Sequence, residues 1–207
     1  MKADLKFPRY RPVSALLTCL AALFALAGCT PILESSQPAT STWWLEPTQV
    51  DRASIAGEPR PLALSVAVVP GLDSDRILTL DPDARLDHIA GAHWADHLPE
   101  LVTSLVTRSL EGAPRFPVIS RHDYRRDGEC RLSLEVRQFQ VMLDAGNISR
   151  SVAVDIAGLY HCDDKRQVLA LSATAPVTAN RLPEIVRAFQ TAVDDSMRQL
   201  ATVLADP

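Results

Sequence analysis

The fold is decided by residues 129–162, which read ECRLSLEVRQFQVMLDAGNISRSVAVDIAGLYHC. Apolar side chains alternate over 132–136, and the alternation changes phase directly afterwards. Period-two alternation is typical of a strand with one buried face, and a phase change indicates a β-bulge, here near 137–138. Alternation resumes over 152–156, after turn-forming residues at 145–147. The stretch therefore predicts a long antiparallel hairpin.

Two cysteines lie at the base of this hairpin. A turn centred on residue 146 places Leu132 opposite Tyr160, and by the same register Cys130 opposite Cys162. Opposed Cα atoms in an antiparallel pair lie about 4.5–5.5 Å apart, which a disulfide can span. We expect a structural cross-strand disulfide; two unpaired thiols are the alternative if the register is shifted by one residue. Because no CxxC motif is present, a redox or metal role is not expected.

The remaining chain supplies further strands and two helices. Strand-like segments occur at 42–45, 62–69, 76–80, 85–89, 116–120 and 168–175, of which 76–80 and 116–120 have the character of edge strands. Apolar residues at three- and four-residue spacings predict helices over about 94–110 and from 183 onwards. The order predicts an α+β fold: a mostly antiparallel sheet with two amphipathic helices packed on one face.

The N-terminus has the three parts of a bacterial lipoprotein signal. Four basic residues within 2–11 precede an apolar run at 13–27, which is short for a membrane span of about 20 residues. The tetrapeptide LAGC at 26–29 resembles a lipobox, in which the thiol of Cys29 takes the lipid. An ordinary secretory signal that happens to end in a cysteine is the alternative. Thr30, in place of an aspartate, resembles the signal for export to the outer membrane.

These features divide the chain into a signal peptide at 1–28, a flexible tether at 29–42 and a single domain at 43–207. The precursor carries a formal charge of −4. Without the four basic and one acidic residues of the signal, 17 basic and 24 acidic residues remain, a charge of −7. An acidic domain without a basic cluster is a poor nucleic-acid binder, so no nucleic-acid partner is expected.

Three histidines form the most suggestive cluster for chemistry. His93 and His97 are predicted one helical turn apart, with His88 just upstream, but a zinc protease would need glutamate at position 94, where Trp94 stands. We interpret this cluster as a polar helix start with exposed histidines. The sequence has no glycine-rich phosphate loop and no Gly-x-Ser-x-Gly elbow. We therefore predict no catalytic residues, no metal site, no cofactor and no enzymatic activity.

The tryptophans are the candidate binding residues. Trp43 and Trp44 are adjacent, so in an extended segment they point in opposite directions and one of them reaches the surface. Trp94, at the front of the first predicted helix, suits the core, and its alternative is a partner contact, since tryptophan is favoured at interfaces. We predict Trp43, Trp44 and Trp94 as candidate partner-contact residues.

Several motifs together resemble a known family. They are the lipobox, the Trp43-Trp44-Leu45 motif, the strand SVAVVP, the segment 73–80, the helix sequence HWADHLPELVTSLVTRSLE, the hairpin and the C-terminal helix. In this combination the chain resembles the ABC-type transport auxiliary lipoproteins, the PqiC-like proteins, over nearly all of its mature length.

The resemblance implies a lipid-anchored, non-catalytic accessory of a system that moves lipids or other hydrophobic molecules between membranes. Its partners would be an MCE-domain protein and an ABC transporter or other integral membrane components, with self-association left open. The acyl chains on Cys29, palmitate among them, would hold it in a Gram-negative cell envelope, at the outer membrane facing the periplasm. The alternative is a lipid-binding or chaperone-like lipoprotein that holds cargo between sheet and helices without an MCE partner.

Overall fold

A computed structural model describes residues 40–121 and 128–205. In this part of the chain the strands are β1 Ser41–Trp43, β2 Leu62–Val68, β3 Arg76–Leu80, β4 Leu86–Trp94, β5 Ile119–Arg121, β6 Cys130–Leu143, β7 Ser149–Cys162 and β8 Lys165–Pro176. The helices are α1 Leu98–Leu110 and α2 Leu182–Ala205. All of them belong to one compact unit. The predicted signal peptide and Cys29 lie outside the described residues.

The long strand β6 organises the sheet. Its partner along one edge is β7, which runs antiparallel and pairs in turn with β8. Its other edge is shared by two parallel strands, first β2 and then β3. Beyond β2 lies β5, which runs parallel to it. Beyond β3 lies β4, antiparallel to β3, and then β1, parallel to β4. The sheet is mixed but mostly antiparallel, and with its two helices it confirms the predicted α+β class.

The predicted register of the hairpin is confirmed. Leu132 lies opposite Tyr160, and Val136 lies opposite Ile156. The register then shifts between Val136 and Gln138, where the bulge was predicted. The extra residue keeps both Val136 and Phe139 on the buried face, at 0% and 2% exposure, although they are three residues apart.

Two predictions about local structure were wrong. The first helix begins at Leu98, not near Trp94, because Trp94 ends β4 and pairs there with Trp43. His97 precedes the helix in an extended conformation, with Pro99 in the first turn, where its missing N–H costs nothing. The segment 76–80 is interior rather than an edge, since β3 has β4 on one side and β6 on the other.

The core lies between the sheet and the helices. Both helices bury one apolar stripe, which on α2 includes Phe189 and Leu200 at 0% exposure. Three aromatic rings meet at its centre: Trp94 packs edge-on against Phe139 and Phe189, with ring centroids 5.9 and 4.9 Å apart. Phe139 and Phe189 also contact each other, at 4.9 Å. In the described residues, neither helix is both long and apolar enough to cross a membrane.

Gly158, in the middle of β7, is required by a close approach. A Cβ atom there would lie 2.7 Å from the Leu134 side chain and 2.7 Å from the Ser133 carbonyl oxygen. We expect Gly158→Ala to lower the free energy of unfolding by about 1–3 kcal/mol, because the neighbouring strand would have to move. Urea denaturation measures the change. Ala157→Ser, on the opposite face of the same strand, is the matched control, and an equal loss in both variants would contradict this explanation.

The hairpin turn is held by Asp144. Its Oδ1 accepts hydrogen bonds from the backbone N–H groups of Ile148 at 3.0 Å and Gly146 at 2.8 Å, and Arg150 donates to its Oδ2 at 2.7 Å. These donors, the Ile148 N–H foremost, lower the pKa of Asp144 from its ordinary value. Asn147 completes the turn with a φ of 57°, a conformation that asparagine tolerates.

This geometry predicts a pH dependence. A carboxylate whose pKa is lower in the folded state stabilises the protein above its unfolded pKa of about 3.9, and the contribution is lost as the pH falls through the folded value. We therefore expect Asp144→Asn to lower the melting temperature at pH 7 and to make its decline below about pH 4 shallower. Thermal melts of both proteins from pH 7 to pH 2.5 test this, and parallel curves would refute it.

Candidate docking surface

The structure joins Cys130 and Cys162 in a disulfide, with Cα atoms 4.3 Å apart. The bond closes the base of the hairpin, where Cys130 also lies opposite Leu62 of β2. Both cysteines are buried, at 0% and 5% exposure. This position gives the disulfide a structural role and keeps its sulfur atoms away from solvent.

The segment that follows β1 is fastened to both helices. Leu45 is 1% exposed in the core, and the side-chain amide of Gln190 on α2 holds the backbone of Glu46 from both sides. Gln190 Oε1 accepts from the Glu46 N–H at 2.9 Å, and Gln190 Nε2 donates to the Glu46 carbonyl at 3.0 Å. Two hydrogen bonds from one planar amide fix this backbone as a neighbouring strand would.

Thr48 provides a second attachment two residues later. Its N–H donates to the Ser109 hydroxyl on α1 at 2.9 Å, and its own hydroxyl donates to Asp194 on α2 at 2.8 Å. Thr48 and Ser109 are both buried, so the bond between them is shielded from water. The segment between β1 and residue 48 is therefore a rigid part of the domain surface.

Trp44 stands on this rigid segment with 51% of its surface exposed. The guanidinium of Arg108, in the last turn of α1, lies over its ring at 5.2 Å from the centroid. Arg108 also lies 3.8 Å from the Glu46 carboxylate. We call Trp44, Glu46 and Arg108 the Trp44 surface. It consists of an exposed aromatic ring with a cation over one face and one carboxylate beside it.

The structure separates the three candidate tryptophans. Trp43 is half-buried against the core and its indole N–H donates to the Ser41 hydroxyl at 3.1 Å. Trp94 is buried, at 3% exposure, whereas Trp44 is open to solvent. Arg108 could not be predicted as part of this surface from the sequence, because it lies 64 positions from Trp44 and only the fold brings the two together.

Two of the histidines bind carboxylates of the loop that precedes β3. His93 Nδ1 lies 2.9 Å from an Asp75 carboxylate oxygen, and His97 Nδ1 lies 3.2 Å from Asp73. The bond to His93 is the main cause that lowers the pKa of Asp75. Because His93 lies in β4 and His97 in the following turn, they do not share a helix face as predicted. His88 instead contacts Arg76, with its Nε2 atom 2.5 Å from a guanidinium nitrogen.

These pairs fasten the loop to the end of β4 and to the start of α1. The Leu98 N–H adds a hydrogen bond to the Ser74 carbonyl at 3.2 Å. Among residues 40–121 and 128–205, no group of three or more histidine, cysteine, aspartate or glutamate side chains is arranged to hold a metal ion.

A family model matches this fold. The model of the ABC-type transport auxiliary lipoprotein component family covers residues 45–201, from the segment after β1 almost to the end of α2. The chain belongs to this family, and it is thus an auxiliary lipoprotein-type component of a transport system of the Gram-negative cell envelope. No curated protein matches the chain.

Solved structures show the same fold at low sequence identity. Protein XCC0632 from Xanthomonas campestris, described as a member of family DUF330, is 15% identical with a TM-score of 0.65, and the match covers 77% of this chain and 92% of that one. An uncharacterized protein is 13% identical with a TM-score of 0.57, over 82% of this chain and 98% of that one. At such identities these matches support the fold alone.

Proposed function

We propose that the protein is a lipid-anchored periplasmic accessory of an ABC/MCE-type system that moves lipids or other hydrophobic molecules between membranes. It acts as a docking module without catalysis of its own. The observation that carries this proposal is the family match across residues 45–201, which includes almost the whole described domain. The rigid Trp44 surface supplies a feature that such a module needs.

The anchor is Cys29, the last residue of the LAGC sequence at 26–29. A thioether-linked diacylglycerol and an amide-linked palmitate would fix the domain at a membrane, since more than one acyl chain gives stable binding. Thr30 directs it to the outer membrane, facing the periplasm. About ten residues of tether then separate the lipid from β1, a length that leaves the domain within reach of a partner crossing the periplasm.

The partner contact is the Trp44 surface, and the partner is an MCE-domain protein. Tryptophan and arginine are the side chains that most often dominate binding energy at interfaces. Trp44 stands on a segment already held by Gln190 and Thr48, so little conformational entropy is lost on binding. Trp43 supports this surface from the core side, and Trp94 supports it from the interior through its pairing with Trp43.

The alternative, a carrier that holds lipid between sheet and helices, receives less support. The region between the sheet and α2 is occupied by the rings of Trp94, Phe139 and Phe189, which contact one another. Cargo in that region would have to displace side chains that are 0–3% exposed. Bound phospholipid without an MCE partner would nevertheless be the outcome that favours the carrier.

Affinity purification of the full-length, membrane-extracted lipoprotein tests the proposal. We expect an MCE-domain protein to co-purify with the wild type, and its recovery to fall at least tenfold with Trp44→Ala. Val118→Ala is the matched control, because Val118 is a comparably exposed apolar residue, at 56%, that lies near β5. Melting temperatures of both variants should stay near that of the wild type. Purification with phospholipid and no MCE protein would overturn the proposal.

A further inference from the structure

The outer edge of the sheet at β8 carries backbone hydrogen-bonding groups that no other described strand uses. Among the described strands, β8 pairs only with β7, so one side of this 12-residue strand has no strand neighbour. In an antiparallel pair, every second residue turns its N–H and C=O away from the partner. Ser172 bonds to Gln199 through its backbone N–H and C=O, so the even-numbered residues of β8 are the ones that turn these groups away from β7. They include Arg166, Val168 and Ala170.

Gln199 of α2 shows that this edge accepts amide groups. Its Oε1 accepts from the Ser172 N–H at 3.2 Å, and its Nε2 donates to the Ser172 carbonyl at 2.9 Å. A planar side-chain amide thus makes the two bonds that a residue of an added strand would make. Covering edges is a common protection against unwanted pairing, and here it is applied at Ser172, which leaves the stretch 165–171 open.

The side chains along the open stretch provide selectivity. Val168 is 83% exposed, and its cross-strand neighbour Leu159 is 37% exposed. The two line a shallow outer-face groove of about 430 Å³ together with Ala170. Two register pairs nearer the β7–β8 turn, Arg166 lies opposite His161 on the same face. The groove is therefore apolar at Val168 and Leu159, and the edge beside it carries the cation of Arg166.

We propose that the 165–171 edge of β8 binds an extended segment of another protein by strand addition. The backbone groups of Arg166, Val168 and Ala170 would supply paired hydrogen bonds, which only an extended chain can satisfy in register. An aliphatic or β-branched side chain of the segment would pack on Val168 and Leu159, and an acidic one would face Arg166. An antiparallel segment would place that acidic residue towards its own C-terminal end.

This surface is distinct from the Trp44 surface. The sheet runs β1-β4-β3-β6-β7-β8 across its width, so Trp44, next to β1, and Val168, on β8, belong to opposite edges. At about 4.8 Å per strand the two edges are separated by roughly 24 Å. The proposal therefore stands independently of the docking role of Trp44.

A displayed library of random decapeptides is the probe, selected against the mature domain with its disulfide intact. Val168→Pro removes one outward N–H that no described strand uses, and proline is tolerated on strand edges in this orientation. Val168→Thr is the matched control, because it keeps the N–H and the β-branched shape. Arg166→Glu is a second variant that leaves the backbone untouched and reverses the charge.

We expect enriched peptides with alternating β-forming residues and an acidic residue near the C-terminal end. Their affinity should fall at least tenfold with Val168→Pro and several-fold with Arg166→Glu, and stay within about twofold with Val168→Thr. Hydrogen exchange at the N–H groups of Val168 and Ala170 should slow when peptide binds. No enrichment, affinities that Val168→Pro leaves unchanged, or an edge occupied by a second copy of the chain would each overturn the proposal.

Discussion

Trp94→Ala is expected to lower the free energy of unfolding by about 3–5 kcal/mol, the usual cost of removing a fully buried large aromatic side chain. Trp94 is 3% exposed and packs edge-on against Phe139 and Phe189. The cavity left behind lies between a strand and a helix, two rigid elements that cannot close it. Since single domains are stable by about 5–15 kcal/mol, this is a large share of the total. Urea denaturation of the mature domain measures it.

Trp44→Ala is the matched control for this prediction. It removes the same side chain from a position that is 51% exposed, where the ring takes part in stacking with Arg108. A surface substitution of this kind changes stability by about 0.5–1 kcal/mol. If the two variants were destabilised by a similar amount, the assignment of Trp94 to the core and Trp44 to the surface would be wrong.

Removal of the disulfide by a Cys130→Ala, Cys162→Ala double substitution has the second largest expected effect, a loss of about 3–4 kcal/mol. The cysteines are 32 residues apart, and a cross-link of that span restricts the unfolded chain by about this amount. The two small side chains fit the buried site, so most of the loss should come from the unfolded state. Urea denaturation of the double variant against the oxidised wild type gives the difference.

The same prediction has a chemical test. Mass spectrometry of the mature protein, denatured without reductant and treated with an alkylating agent, should show no modification of Cys130 or Cys162 until reductant is added. The reduced wild type should then match the double variant in stability. Two alkylated thiols in the denatured, unreduced protein would contradict the disulfide.

Much of the hairpin could be predicted from the sequence because the pattern that specifies it lies within one continuous segment. Alternation from Leu132 to Val136 and its phase change before Phe139 mark the buried face on each side of the bulge. Once the turn is placed at residue 146, the pairing of Cys130 with Cys162 follows from counting. Helix α2 could be predicted equally well, since its apolar stripe continues over 24 residues.

The order of the strands could not be predicted in this way. The parallel pairing of β2 with β6 joins Leu62 to Cys130, and nothing in either segment specifies the other as its partner. The start of α1 was misplaced because HWADHLPEL has helical spacing throughout, whereas the pairing of Trp94 with Trp43 holds the first part in a strand. Tertiary pairing here overrides the local pattern.

The candidate surfaces could also be predicted only in part. The sequence predicted that one member of the Trp43-Trp44 pair reaches the surface, because adjacent residues of an extended segment point in opposite directions. It did not predict Arg108 over the Trp44 ring, nor the side-chain amides of Gln190 and Gln199 on the backbones of Glu46 and Ser172. Each of these contacts joins residues 27 to 144 positions apart, so only the folded chain reveals it.

In-cell photocrosslinking from position 44 tests the docking role most directly. A photoreactive phenylalanine analogue would replace Trp44 in the full-length lipoprotein, with the same analogue at Val118 as the control position. We expect a crosslink to an MCE-domain protein from position 44 and none to that protein from position 118. Crosslinks to an MCE protein from position 118 alone, or to phospholipid alone from position 44, would contradict it.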